Sequence, residues 1–194
     1  EEETGSFAFA DVCDEICKKL IIRHPHVFGD VSADNTDQVL KNWDAIKMKT
    51  KGQESYTDTL NSVAKSLPAL MRAQKVGKRA MRARMDFRSA DDAVACINSE
   101  KSELDKAIAA GNKADIEEEL GDLLFSCVNA ARHLGIDAEL ALKSATEKFI
   151  KRFAVTEKLT ASDNLDMNSL SIEELDVYWD KAKHIINSEE IDND

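Results

Sequence analysis

The chain has 194 residues, 43% hydrophobic and 32% charged, so it can bury the core of one ordinary domain. Its 37 acidic and 26 basic side chains give a net charge of −11, which repels nucleic-acid backbones and argues against nucleic acid as a partner. We expect no membrane partner, because no apolar run approaches the ~20 residues that a spanning helix needs. Only two Pro and seven Gly interrupt the chain, which favours long helices over strands.

The four cysteines show no metal-binding spacing. Cys13 and Cys17 lie one helical turn apart, while Cys96 and Cys127 stand alone. The absence of a CxxC pair or a Cys/His cluster argues against zinc. We therefore expect reduced, mostly buried thiols in a cytoplasmic protein.

Helical periodicity begins near the start of the chain. The segment Phe9–Arg23 carries apolar residues at helical spacing, and Pro25 and Gly29 then interrupt the pattern. A second helix is predicted in DQVLKNWDAIKMK. The polar segment KGQESYTD, residues 51–58, lacks periodicity and is predicted to be a linker.

Five further helical segments have recognisable starts or stops. Pro68 fits a first helical turn, Gly135 fits a helix stop, and Ser171 with Glu174 forms a capping box. No convincing strand is found. The first of the five predicted helices begins at Leu67. The other four span 89–110, 112–134, 137–159 and 171 to about 186.

Two short segments recur in the same order. KLIIR (19–23) matches KFIKR (148–152), and WDAIK (43–47) matches WDKAK (179–183). The shared order and the rare Trp favour a duplication. Residues 1–50 are therefore predicted to be the helical back half of an upstream repeat. The linker 51–58, a complete domain at 59–188 and an acidic tail at 189–194 follow.

Two pairs of acidic residues have helical spacing. Glu100 and Glu103 are three residues apart, as are Glu119 and Asp122, so each pair shares one helix face. If two helices turned these acids toward each other, the carboxylates would share protons or hold cations. Oxygen ligands with no His or Cys nearby suit Mg²⁺ or Mn²⁺.

A solvated acidic helix face would explain the same spacing. Asp122 favours the metal hypothesis, because it interrupts the apolar run that follows EEELG, and a cation would allow it to point inward. Gly121 is also unusual, because Gly inside a helix costs ~1 kcal/mol relative to Ala. We expect either a close backbone approach at Gly121 or room for a ligand.

Four later residues could hold a phosphorylated ligand. Lys148 and Arg152, one turn apart, could clamp phosphate oxygens, Trp179 could stack on a base, and Lys183 could meet another phosphate. Each also has a plain alternative, a solvated basic pair for the first two and core packing for the Trp. A purely structural bundle would, however, explain neither Asp122 nor the basic pair.

Longer motifs give the chain a family resemblance. SEKSE at 99–103 followed by EELGD at 118–122 resembles the EExxE and ExxD marks of the MazG family. RHPHVFGD, SLPALMRAQK, EEELGDLLFSCVNAARHLG and KFIKRF resemble the long bacterial members, which carry two such domains in tandem. The resemblance covers nearly the whole chain and agrees with the repeat.

The resemblance implies an all-α, four-helix-bundle-type fold, a homodimer, and hydrolysis of nucleoside triphosphates to monophosphate and pyrophosphate. It implies Mg²⁺, with Mn²⁺ as the alternative, as the cofactor that polarises phosphoryl oxygens and activates water. By position, the implied metal ligands are Glu100, Glu103, Glu119 and Asp122, with Glu118 beside them. Glu119 or Glu100 would orient the attacking water, and the implied nucleotide-binding residues are Lys148, Arg152, Trp179 and Lys183.

Three departures from the family pattern stand near this site. Ser99 replaces the first Glu, Cys96 stands where long members typically carry Lys, and MDFRS lacks the usual Trp. One fewer acidic ligand should weaken metal binding. We expect reduced activity or a single retained metal. The alternative is a catalytically weakened or inactive regulatory module that keeps the fold and nucleotide binding.

Overall fold

The computed structural model describes residues 8–29, 46 and 53–191, and within these ranges it contains helices and no strand. The all-α class predicted from the sequence is therefore confirmed. No described helix is both long and apolar enough to cross a membrane. In chain order the helices are α1 (Phe9–Arg23), α2 (Pro25–Phe28), α3 (Tyr56–Asn61), α4 (Ala69–Arg82), α5 (Ala90–Ala110), α6 (Lys113–His133), α7 (Ala138–Ser162), a 3-10 turn (Met167–Ser169) and α8 (Ile172–Ile191).

The chain forms two compact units, and the first contains the described residues up to Lys65 together with Lys78–Asp86. Helix α1 has the bounds predicted for it. The predicted interruption falls at His24, and Pro25 begins the short helix α2, which ends before Gly29. The helix predicted in DQVLKNWDAIKMK falls, apart from Ile46, outside the described residues.

Helix α3 begins inside the predicted linker 51–58. The Ser55 hydroxyl accepts a hydrogen bond from the Asp58 N–H at 3.1 Å, and the Asp58 carboxylate accepts one from the Ser55 N–H at 2.8 Å. This reciprocal capping box starts a helix that periodicity alone did not reveal. The Arg79 guanidinium donates to the Thr59 carbonyl and to the Ser62 hydroxyl, tying α3 to the later part of α4.

The second unit contains Ser66–Gly77 and the chain from Phe87 onward. Its helices α5 and α6 pack as one hairpin, and α7 and α8 as another. Polar caps begin α5 to α8 where the sequence predicted, because each side-chain oxygen accepts a backbone N–H of the first turn. These caps are Ser89, Asn112, Asp137 and Ser171. Helix α8 continues to Ile191, beyond the predicted end near Ile186.

The buried residues of the second unit are mostly small. Ala93, Ala107, Ala130 and Ala182 are buried, with Val128 among them. Small side chains let helix backbones approach closely, but they bury little apolar area. Many larger apolar side chains remain exposed on α6 and α7. Leu120, Leu124, Phe125, Leu140 and Leu142 are among them.

The first half of α4 docks on the α6–α7 connection. The Gln74 amide donates to the Ile136 carbonyl at 2.9 Å and accepts from the Ala138 N–H at 3.1 Å. Pro68, predicted in the first turn, precedes the helix and accepts the first helical hydrogen bond, from Arg72 N, at 2.8 Å. Gly77 is buried, and a Cβ on it would stand 2.7 Å from the Asn129 side-chain oxygen.

Two helical glycines should respond to alanine in opposite directions. Gly77→Ala should lower the free energy of unfolding by about 1–2 kcal/mol, because Asn129 is buried and cannot yield easily. Gly121→Ala should raise it by about 0.5–1 kcal/mol, because nothing lies within 4 Å of its Cβ position. Urea denaturation of both variants checks the signs. A stabilising Gly77→Ala would contradict the packing described here.

Candidate metal and nucleotide site

The α5–α6 hairpin brings acidic residues from two helices together. The turn between them uses Gly111 at φ 73°, a left-handed conformation that Gly adopts without strain, and Asn112 then caps α6. Glu100 before this turn and Asp122 after it lie at similar sequence distances from Gly111. An antiparallel pair of helices therefore places them at the same level.

Three of the predicted ligands form a close cluster. Glu100, Glu119 and Asp122 each offer a carboxylate oxygen, and these oxygens all lie within 4.8 Å of one another. Glu100 and Glu119 are half-buried, whereas Asp122 is exposed. Without a cation, Asp122 therefore lies at the surface beside the acids of the neighbouring helix, and its inward orientation around a bound cation stays a prediction. Its neighbours Leu120 and Leu124 are themselves 46% and 51% exposed.

The other two predicted ligands lie at the edge of this cluster. Glu103 is exposed, and one of its oxygens accepts a hydrogen bond from the Ser99 hydroxyl at 3.4 Å. Glu118 is also exposed. The charges of both Glu103 and Glu118 act on Glu119 and raise the pKa of its carboxyl group. Both acids therefore contribute to the negative potential of the cluster.

The pKa of the Glu119 carboxyl group reflects its burial and the acids around it. Burial raises the pKa of its carboxyl group above the usual value, and the charges of Glu103, Asp122, Glu100 and Glu118 add to the rise. A raised carboxyl pKa means that the ionised form is disfavoured in the folded protein. Below this raised pKa a proton relieves the repulsion, and at neutral pH a cation can do so.

The donor set fits a hard divalent cation. Opposite oxygens around Mg²⁺ stand about 4.2 Å apart, since each Mg–O distance is about 2.1 Å. Oxygens that all lie within 4.8 Å of one another are close enough to be ligands of one such cation. Three carboxylates with no imidazole among them suit Mg²⁺ or Mn²⁺. Gly121, beside the cluster, shows open space rather than a close backbone approach.

Cys96 touches the acidic cluster as a neutral donor. Its thiol donates to a Glu100 oxygen at 3.4 Å. Burial raises the pKa of the Cys96 thiol, and the charges of Glu100, Glu103 and Asp122 raise it further. The thiol therefore stays protonated at neutral pH.

The expectation that most thiols are buried is wrong, since Cys13, Cys17 and Cys127 are exposed and free.

The basic residues lie on the other hairpin. Arg152 of α7 is half-buried, and its Nε is buried without a hydrogen-bond partner among the described residues. A buried guanidinium donor of this kind favours an anionic ligand. Lys148 is exposed and lines an open groove of about 590 Å³ on α7, together with Lys143 and Lys151.

Trp179 and Lys183 lie one turn apart on α8. Trp179 is half-buried, and its indole packs on the Phe149 ring with centroids 5.1 Å apart. Lys183 forms an ion pair with Asp180 at 2.6 Å, and Lys183 lowers the pKa of the Asp180 carboxyl group. An exposed pair of this kind is weak enough to exchange for a phosphate.

The predicted residues therefore form an acidic group and a basic, aromatic group. No hydrogen bond or ion pair joins the two groups within the ranges that the structure describes. The sequence prediction assigned no role to Phe149, although this residue contacts Trp179. Its position directly after Lys148 in KFIKR, four residues before Phe153, was a signal that could have revealed it.

The fold and the acidic cluster define an all-α domain with a candidate cation site, and sequence comparisons identify the family of this domain. The family model described as MazG nucleotide pyrophosphohydrolase domain matches residues 1–28 and 88–154. The nucleoside triphosphate pyrophosphohydrolase of Escherichia coli K12 is 41% identical over 184 residues, which cover 94% of this chain and 70% of the relative. The chain therefore belongs to the MazG family.

Two other relatives extend the comparison. The nucleoside triphosphate pyrophosphohydrolase/pyrophosphatase MazG of Thermotoga maritima is 39% identical over 181 residues, covering 93% of this chain and 68% of the relative. The uncharacterized protein YabN of Bacillus subtilis is 35% identical over 183 residues, covering 94% of this chain and 37% of the relative. The similarity therefore spans both units of the structure.

Neutralising Glu119 should stabilise the metal-free protein and at the same time abolish its stabilisation by Mg²⁺. We expect Glu119→Gln to raise the Tm of the metal-free protein at pH 7, because it removes a charge from a repulsive cluster. The parent should gain about 5–10 °C at a Mg²⁺ concentration 100 times Kd, and this gain should disappear in the variant. Thermal unfolding with and without Mg²⁺ measures both effects.

Glu117→Gln is the matched control, because Glu117 is an exposed acid of the same helix outside the cluster. It should keep the Mg²⁺-dependent gain in Tm. Equal Mg²⁺ responses in the Glu119 and Glu117 variants would contradict a cation site at the cluster.

Proposed function

We propose that this protein is a Mg²⁺-dependent nucleoside triphosphate pyrophosphohydrolase, with Mn²⁺ able to replace Mg²⁺. The observation that carries the proposal is the cluster of Glu100, Glu119 and Asp122, whose oxygens lie within 4.8 Å of one another. Family membership and the names of the E. coli and T. maritima relatives supply the substrate class. The products are a nucleoside monophosphate and pyrophosphate.

The reaction needs water to attack the α-phosphorus and to break its bond to the oxygen that bridges the α and β phosphates, so that pyrophosphate leaves. A bound cation would polarise the phosphoryl oxygens and offset their charge. Glu119, whose carboxyl pKa is raised, would orient the water and accept its proton, with Glu100 as the alternative base. Glu103 and Glu118 would complete the acidic surroundings.

The basic group would bind the polyphosphate and the base. Lys148 and the unpartnered Nε of Arg152 would hold phosphate oxygens and offset charge on the leaving pyrophosphate. Lys183 would exchange Asp180 for a phosphate, and Trp179 would stack on the base. Stacking of this kind accepts any base.

A homodimer is part of the proposal. A single chain leaves large apolar side chains of α6 and α7 exposed, and a second copy would cover them. The exposed residues that support this arrangement are Leu120, Leu124, Phe125, Leu140 and Leu142. We place the protein in the cytoplasm, where its free thiols would stay reduced.

A second candidate function is a regulatory module that binds nucleotide without hydrolysing it. Ser99 favours this alternative, because the hydroxyl supplies no charge and only hydrogen-bonds Glu103 at 3.4 Å. Cys96 supports it in the same way, because its protonated thiol cannot replace a cationic side chain. The two functions share the fold and differ in turnover.

Product analysis separates the two functions. The chain is incubated with mixed nucleoside triphosphates and Mg²⁺, and we expect monophosphate and pyrophosphate in equal amounts. Asp122→Asn should lower kcat at least about 100-fold, because it removes a cluster carboxylate. Asp105→Asn, an exposed acid of α5 paired with Lys101, should retain the parent rate.

Chelation with EDTA should abolish turnover, and added Mg²⁺ should restore it. A parent protein that forms no products would contradict the enzymatic function. Titration with a nonhydrolysable nucleoside triphosphate would then distinguish a binding module from a structural bundle.

Restoring a carboxylate at position 99 tests the effect of the family departure. Ser99→Glu should tighten Mg²⁺ binding by roughly tenfold and raise the rate of pyrophosphate release, because divalent affinity follows ligand charge. Ser99→Ala removes the hydroxyl without adding charge and should stay near the parent. If Ser99→Glu changes neither quantity, the serine at position 99 limits neither the Mg²⁺ affinity nor the rate of pyrophosphate release.

A further inference from the structure

Three aromatic rings form a row across the α7–α8 hairpin. The Phe149 and Phe153 rings of α7 stack at 27° with centroids 6.3 Å apart. Phe149 also meets the Trp179 indole of α8 at 5.1 Å and 46°. Phe149 is therefore the ring that links the α7 aromatics to Trp179.

Phe149 remains accessible despite these contacts. It is 56% exposed, which is unfavourable for a phenyl ring unless something else covers part of it. It follows Lys148 directly in the chain, and Arg152 with its unpartnered Nε lies one turn further on. Exposed aromatic surface beside phosphate-binding cations fits a ligand with a flat ring at one end and phosphates at the other.

We infer that Phe149 is a positioning residue for the nucleoside, acting by bracing Trp179 against the base. A Trp side chain has two rotatable bonds, and a neighbouring ring at 5.1 Å limits the orientations that the indole can adopt. Because the indole is already restrained, it loses less conformational entropy when a nucleotide binds. Stacking of the base on Trp179 is therefore more favourable. This inference rests on the proposed nucleotide binding and adds a residue to which no role was assigned.

The effect of Phe149 should depend on the base and not on the phosphates. Isothermal titration in the presence of Mg²⁺ compares a nonhydrolysable nucleoside triphosphate with inorganic tripolyphosphate. We expect Phe149→Ala to weaken nucleotide binding about 3- to 10-fold and to leave tripolyphosphate binding unchanged. In steady-state assays, KM for the triphosphate should rise by the same factor while kcat changes less than about twofold.

Two further variants separate positioning from general packing. Phe149→Tyr keeps the ring and should restore nucleotide affinity. Ile150→Ala is the matched control, because Ile150 is 54% exposed on the same helix, and it should behave as the parent with both ligands. Gel filtration of every variant reports the oligomeric state.

Several outcomes would overturn the inference. One such outcome is that Phe149→Ala weakens the binding of nucleotide and tripolyphosphate equally, and another is that it weakens the binding of neither. A third is that it changes only the oligomeric state, which would make Phe149 a protein-contact residue. The proposed enzyme fails separately, when the parent releases no products. If the parent binds nucleotide without hydrolysing it, the titrations still decide the role of Phe149. If the parent binds neither ligand, both proposals are wrong.

Discussion

Repulsion among carboxylates held by one helical hairpin is the constraint on which the site depends. Two rigid helices, joined by a turn at Gly111, bring Glu100, Glu119 and Asp122 within a few ångströms of one another. Burial and neighbouring charges raise the pKa of the Glu119 carboxyl group. A fold maintains such an arrangement at the expense of stability, and a bound cation would reverse that loss.

Local signals in the sequence predicted the helices of the second unit well. Ser89, Asn112, Asp137 and Ser171 mark helix starts because their side chains satisfy backbone N–H groups a few residues away. Helical spacing also predicted which acids share a face. Both signals act over one or two turns, so the sequence alone contains them.

Features that depend on distant contacts were not predictable in this way. The exposure of Asp122 depends on which face of α6 packs on its neighbours, and the apolar residues beside it, Leu120 and Leu124, are exposed as well. The contact between Phe149 and Trp179 joins the two helices of one hairpin, and the spacing of Phe149 and Phe153 within α7 does not show which residue of α8 they meet.

The acids proposed to hold a cation lie on α5 and α6, and the basic and aromatic residues proposed to bind a nucleotide lie on α7 and α8. The central claim is that the acidic cluster holds a divalent ion. Anomalous X-ray diffraction from crystals containing Mn²⁺ tests it most directly. The account predicts a manganese peak coordinated by Glu100, Glu119 and Asp122. A peak elsewhere, or none with these carboxylates free in the crystal, would contradict it.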